Sequence, residues 1–265
     1  MTGRVAMAVA ALQVGVGAAE VLRVAARGDI LATFPAAAYV RLDSGVICLT
    51  GPAVDAGPVH VRCRELPAAV PGEPVDRHGA QLVAQGWTLD LQAPTYRATL
   101  PPVADLHAGA TLLLDAVADL PPASLLTGDV PAVWPDHAGV LARGDLGIAA
   151  AVLGGRGSGL TPAGDDVLAG LLLIAAAFGV ASPAEREHAA AQARTNDIAA
   201  SFLRWAARGQ CIAPVHDLLA TAAAGDRAAT RRAAARLRAI GASSGADLAY
   251  GLALGLRHLP RLGAP

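Results

Sequence analysis

From Val167 to Val180 the chain runs without a single charged or strongly polar side chain. The stretch is too short to span a bilayer and is interrupted by Gly170 and Gly179, so it reads as a buried helix. Directly before it stands Gly155-Arg156-Gly157-Ser158-Gly159-Leu160-Thr161-Pro162-Ala163-Gly164-Asp165-Asp166. Glycines in such a loop let backbone N–H groups approach a ligand, and a helix start gathers anions. The two adjacent acids could instead want a cation, or a proton to move.

Composition narrows the classes. Hydrophobic residues make up 54% of the chain but aromatics only 3%, because alanine is abundant. That favours close-packed helices with small residues at their contacts. All 21 basic residues are arginines, so neither a lysine Schiff base nor a P-loop lysine is available. A net charge of −1 gives no nucleic-acid footprint. The arginines at 227, 231, 232, 236 and 238 read as the solvated face of one helix. Cys48, Cys63 and Cys211 form no disulfide framework and no C-x-x-C pair, which fits a reducing, cytoplasmic setting. Arg4 followed by Val5–Leu12 has the look of a short signal peptide, but Gln13 interrupts it and Glu20 and Arg23 continue the pattern. It is taken as the first folded segment, and no membrane span is expected.

The pattern along the chain predicts an α+β protein. Residues 1–100 are expected to form a β-rich domain, a small barrel or sandwich. Its strands are expected at Ile30–Phe34, Tyr39–Leu42, Val46–Thr50, Val59–Cys63 and Trp87–Gln92, with a hairpin turn at Asp43-Ser44-Gly45. Helices are expected at Val9–Ala26 and Asp76–Gln85. After the proline-marked joint Pro94–Pro102, residues 101–265 are expected to be mainly helical. The candidate helices are Ala104–Leu120, His137–Leu153, Asp165–Phe178, Pro183–Arg208, Val215–Ala224, Arg227–Ile240 and Gly245–Leu259.

The glycine run is no standard nucleotide motif. Gly155-x-Gly157-x-Gly159 lacks the G-x-G-x-x-G spacing, and no G-K-[ST] follows. Its best match lies within the chain itself. Pro162–Leu171 aligns without gaps to Ser243–Leu252, pairing Gly164 with Gly245, Asp166 with Asp247 and Gly170 with Gly251. Asp and the later Gly fall on one helical face, where a glycine admits another helix closely. Two similar helix starts packed together would bring Asp166 and Asp247 to a shared crevice. Ordinary capping competes with this reading: Thr161 could cap the first helix, Ser243 or Ser244 the second, and Asp165 and Asp166 suit the macrodipole. Capping leaves Gly164 unexplained, since glycine in a helix costs about 1 kcal/mol relative to alanine.

The run from Gly157 to Asp166 resembles the G-x-G-L-T-P-S-G-D-D signature of a bacterial domain family whose best-defined branch is a subunit of oxamate carbamoyltransferase. Ala163 stands where that pattern has serine. Thr195-Asn196-Asp197-Ile198-Ala199 is similar to the family's T-T-x-I-S, with the second Thr and the Ser replaced. Gly241–Asp247 is similar to its G-H-S-S-G-x-D, with Ala242 for histidine. The resemblance covers the helical half clearly and the β-rich half only loosely. It implies a multi-subunit enzyme of allantoin breakdown and purine catabolism, in which oxalurate and phosphate interconvert with oxamate and carbamoyl phosphate.

The candidate catalytic residues are therefore Asp166, Asp247 and Asp165. The candidate substrate-binding residues are Gly155, Arg156, Gly157, Ser158, Gly159, Thr161, Gly164, Ser243, Ser244 and Gly245. Two helix starts and Arg156 could hold a phosphate or carboxylate, and an Asp could orient or deprotonate an amide nitrogen. The expected partners are a small anionic substrate and other protein subunits or further copies of the chain. Two alternatives stay open: a non-catalytic assembly or regulatory subunit, and a hydrolase whose paired acids hold Mg²⁺ or Mn²⁺. Glu185 and His188 read as a solvent-facing pair, His216-Asp217 as a helix start, and Cys48 and Cys63 as core.

Overall fold

A computed structural model describes residues 7–118 and 145–258. The chain divides into two compact units at Arg97/Ala98.

The first unit is a closed eight-stranded β-barrel with one short extra strand, so of the expected barrel or sandwich it is the barrel. The strands are β1 (Met7–Gly15), β2 (Arg27–Phe34), β3 (Ala37–Leu42), β4 (Gly45–Thr50), β5 (His60–Cys63), β6 (Pro74–His78), β7 (Gln81–Val83), β8 (Trp87–Asp90) and β9 (Thr95–Tyr96). The ladder runs β5-β4-β3-β2-β6-β7-β8-β1, and β1 closes it by pairing with β5. β1 manages this by changing partners along its length. Met7–Ala10 pair in parallel with β8, Ala11–Val14 pair antiparallel with β5 across a bulge, and Val14–Gly15 meet β9. A bulge of this kind bends a strand and re-aims it, as closure requires. Asp43-Ser44 makes the two-residue turn between β3 and β4, as expected.

The helix expected over Val9–Ala26 is a strand up to Gly15, and only Val16–Val24 is helical (α1). The N–H groups of Gly17 and Ala18 donate to the Pro58 carbonyl, and Ala18, Val21 and Leu22 enter the barrel core beside Ile30, Val40, Leu49 and Trp87. The expected helix at Asp76–Gln85 is the β6–β7 hairpin, turning at Gly79 with φ +61°. Cys48 and Cys63 are buried on β4 and β5.

In the second unit the described helices are α2 (Val103–Ala118), α3 (Leu146–Leu153), α4 (Ala163–Ala177), α5 (Pro183–Gln192), α6 (Asp197–Ala207), α7 (Ala213–Ala223), α8 (Arg227–Arg238) and α9 (Ser244–His258). The part of the expected helix His137–Leu153 before residue 145 lies outside the described residues. α4 is buried along nearly its whole length, as its apolar sequence requires, and α3, α5, α6 and α9 pack around it. The expected long helix Pro183–Arg208 is two helices. Asn196 ends the run by capping α6, its Oδ1 accepting from the N–H groups of Ile198 and Ala199 at 3.0 Å. Asp145 caps α3 and Asp226 caps α8 in the same manner, while Ser182 and Glu185 form a capping box on α5. Glu185 thus serves Ser182, and His188 bonds Gln192 instead. No helix among the described residues is long and apolar enough to cross a membrane.

Candidate functional site

α4 and α9 cross backbone to backbone, and the glycines make the crossing possible. A Cβ at Gly170 would stand 2.5 Å from the Leu248 carbonyl oxygen, and one at Gly251 would strike the Val167 carbonyl oxygen. Val167 and Leu248 are counterparts in the internal alignment, so the two contacts mirror each other. The helices run in the same direction, because Thr161 meets Ser244 at one end and Ile174 meets Gly255 further along. The mirroring extends backwards: a Cβ at Gly164 would strike the Leu153 carbonyl at the end of α3, and one at Gly245 the Leu237 carbonyl near the end of α8. Each glycine at a helix start therefore seats it against the end of the preceding helix. This is the role that capping left unexplained.

The helix starts meet through hydroxyls. Thr161 Oγ1 and Ser244 Oγ lie 3.0 Å apart, and Ser244 also hydrogen bonds the Asp166 carboxyl. Thr161 does not cap α4. Its N-cap is Pro162 and carries no side-chain cap bond. The N–H of Gly164 donates to the Arg156 carbonyl (2.8 Å), and those of Asp165 and Asp166 to the Pro162 carbonyl (2.9 and 3.2 Å). At α9 the N–H of Gly245 donates to Ile240, and those of Ala246 and Asp247 to the Ser243 carbonyl. The amides that would gather an anion at these helix starts are mostly occupied by the chain's own carbonyls.

The three acids differ sharply in surroundings. Asp165 is 3% exposed and both its oxygens are engaged: Oδ1 accepts from the Gly155 N–H (3.0 Å) and Oδ2 from the Thr195 hydroxyl (2.5 Å). Burial raises its pKa, and the bonds from Thr195 and Gly155 oppose the rise. Asp166 is half-buried as a residue, but its Oδ2 is shut off from solvent and has no hydrogen-bond partner. Burial pushes its carboxyl well above the ordinary carboxylate range, the Ser244 bond pulls back, and the charges of Asp247 and Asp165 push further. Asp247 is completely buried, close enough for its charge to act on Asp166. The charge of Asp166 in turn reaches the Cys211 thiol, which burial first and that charge last push up to about 12.

The glycine loop joins this cluster through the Gly155 N–H on Asp165. Gly155, Gly157 and Gly159 have φ of +70°, +108° and +92°, values that side chains rarely tolerate. Arg156 and Ser158 between them are exposed, and Arg156 Nε donates to the Val152 carbonyl at 3.3 Å. Ser243 contributes its carbonyl to α9. Ala163 and Ala199, which replace serines of the resembled motifs, are buried, whereas Ala242 is exposed in the turn before α9. Among the described residues no group of three or more His, Cys, Asp or Glu side chains could hold a metal ion.

Residues 195 and 196 were not among the candidate site residues, although Thr195 bonds Asp165 and Asn196 Nδ2 donates to the Leu160 carbonyl (3.1 Å). The readable signal was Thr-Asn-Asp, an N-cap signature inside the supposed long helix. His216 is buried, and its Nε2 accepts from the Cys211 N–H at 2.9 Å. Burial holds its pKa down at about 4, so it is neutral and serves the chain turn before α7.

Residues 153–256 match the family model of the oxamate carbamoyltransferase subunit AllH. The resemblance read from the motifs holds over that stretch. The AllH match begins at the last residue of α3 and ends inside α9, so it takes in the glycine loop, the α4–α9 crossing, all three acids and the 194–196 connector, and leaves the barrel outside. No curated protein and no solved structure matches the chain.

Proposed function

We propose that this chain is a subunit of a carbamoyltransferase assembled with other proteins, and that the α4 and α9 starts hold the amide end of a small anionic substrate. The observation that carries the reading is the buried, unpartnered Oδ2 of Asp166 beside a second buried acid. An unmet buried oxygen costs about 1–3 kcal/mol, which a ligand can return. A carboxamide suits it: the oxygen accepts an amide N–H when ionised and donates to an amide carbonyl when protonated. Two ionised acids would repel an anion, and the upward shift that burial gives Asp166 works against that repulsion, because a protonated Asp166 leaves the pair with one charge fewer.

In the reaction that the AllH name implies, the bond between the carbamoyl carbon and the oxamate nitrogen of oxalurate breaks. A bond from that carbon to a phosphate oxygen forms, and the nitrogen gains a proton. Asp166, shielded and with a raised pKa, is suited to carry that proton. Arg156, exposed on the loop with its Nε on the Val152 carbonyl, would offer its remaining N–H groups to a carboxylate or phosphate. Burial pushes the thiols of Cys48, Cys63 and Cys211 up to about 12, which does not favour a thiolate nucleophile.

The test is calorimetric titration of the purified chain with oxamate, carbamoyl phosphate and phosphate, together with an assay of carbamoyl transfer. Binding of oxamate or carbamoyl phosphate is expected. If none of the three binds, the ligand-site reading fails and a non-catalytic assembly subunit takes its place.

A further inference from the structure

We infer that Asp165 is a positioning residue which, with Thr195 and Asn196, latches the glycine loop at both ends. The loop leaves α3 at Gly155 and re-enters regular structure at Ala163. Three of its residues are glycines in left-handed conformations, and such a segment has many other conformations open to it. Its shape is therefore set by outside contacts. At the entry, Gly155 donates its N–H to Asp165 Oδ1, and Gly155 and Gly154 lie against the backbone of Arg194 and Ala193. At the exit, the Leu160 carbonyl accepts from Asn196 Nδ2. The connector between α5 and α6 thus clasps the loop twice, and Asp165 Oδ2 ties that connector back to α4 through Thr195.

The division between neighbouring acids follows from the helix. Successive side chains point about 100° apart, so Asp165 turns toward the loop and connector while Asp166 turns toward Ser244 and α9. Both oxygens of Asp165 are spent on the fold. One oxygen of Asp166 is not. The importance of the latch for binding rests on the ligand reading above; the latch itself does not.

Asparagine separates the two roles. At position 165 its Oδ1 still accepts from Gly155, and its amide donates to the Thr195 oxygen in place of the present bond, so geometry survives while charge is lost. The experiment compares Asp165→Asn, Asp165→Ala, Thr195→Val and Thr195→Ser in the full chain. Tryptic cleavage after Arg156, which is exposed in the loop, is followed by mass spectrometry, and oxamate and carbamoyl phosphate are titrated calorimetrically. Asp165→Asn and Thr195→Ser are expected to stay within about threefold of the parent in cleavage rate. Asp165→Ala and Thr195→Val are expected to raise cleavage after Arg156 about tenfold and to weaken binding comparably, as the loss of a buried hydrogen bond would. If Asp165→Ala does not fold, the Thr195 pair decides. Unchanged cleavage in Thr195→Val, or an Asp165→Asn as impaired as Asp165→Ala, overturns the inference. If cleavage responds as expected but neither ligand binds the parent, the latch stands and the ligand reading falls.

Discussion

Gly170→Ala tests the crossing on which the site depends. The added methyl would stand 2.5 Å from the Leu248 carbonyl oxygen, 2.6 Å from the Leu252 nitrogen and 2.8 Å from the Gly251 carbonyl carbon. All three are backbone atoms, so no side chain can swing aside. Reaching ordinary contact requires the helices to part by about 0.9 Å, and a gap of that size forfeits a quarter to a half of the dispersion energy along the seam. Overpacking costs about 1–3 kcal/mol, and a backbone-on-backbone contact belongs at the upper end. Alanine returns about 1 kcal/mol of helix propensity. The net loss is about 2 kcal/mol, a fall of roughly 4–8 °C in the melting of the helical unit. Thermal unfolding by far-ultraviolet circular dichroism measures it. Gly51→Ala serves as the control, since a Cβ there meets nothing within 4 Å. Parting the helices also stretches the 3.0 Å contact between Thr161 and Ser244, so ligand binding should weaken with stability. A Gly170→Ala protein that melts at or above the parent temperature would refute the close crossing.

Three further outcomes are expected. Asp166→Asn should stabilise the fold near neutral pH, because burial disfavours the charged form of the Asp166 carboxyl and the asparagine does not titrate. The folded pKa of Asp166 is raised above its ordinary 3.8, so its contribution is fully favourable below that value and is lost as pH rises through the folded pKa. The melting temperatures of variant and parent should therefore converge in acid, and a constant gap from pH 4 to 8 would contradict the account. Native protein at pH 8 should resist iodoacetamide at the buried Cys48 and Cys63 until denaturant is added, as mass spectrometry will show. Ser182→Ala should lose the α5 capping box, costing about 1 kcal/mol in thermal melts while leaving ligand affinity unchanged.

The division into a β-rich and a helical half, the burial of α4 and the pairing of Gly170 with Gly251 were legible in sequence, because apolar runs and glycine spacing report directly on packing. The start of the chain misled for an equally physical reason. Met-Ala-Val-Ala-Ala-Leu-Gln-Val-Gly is rich in alanine, a strong helix former, yet its burial largely alternates along β1, and barrel closure overrides local propensity. Asp76–Gln85 was misread because its strands, Pro74–His78 and Gln81–Val83, are short and hold few branched or aromatic residues, although Gly79 is a fitting first residue for a two-residue hairpin turn. In the site, the spacing of Asp166 and Asp247 was visible, but the fate of each oxygen was not. Thr161 looks like a cap and bonds Ser244 instead, since only the fold brings residues 161 and 244 together. Thr195 reaches Asp165 across the α5–α6 connector, a contact that no local pattern encodes.

The central claim is that Asp166 and Asp247 serve one ligand. Calorimetric titration of oxamate into the parent, Asp166→Asn, Asp247→Asn and the double variant tests it most directly. The account predicts that each single change weakens binding at least about tenfold and that the double variant binds no more weakly than the worse single one, as for two members of one cluster. Effects that multiply as independent sites would, or single variants that bind like the parent, would contradict it.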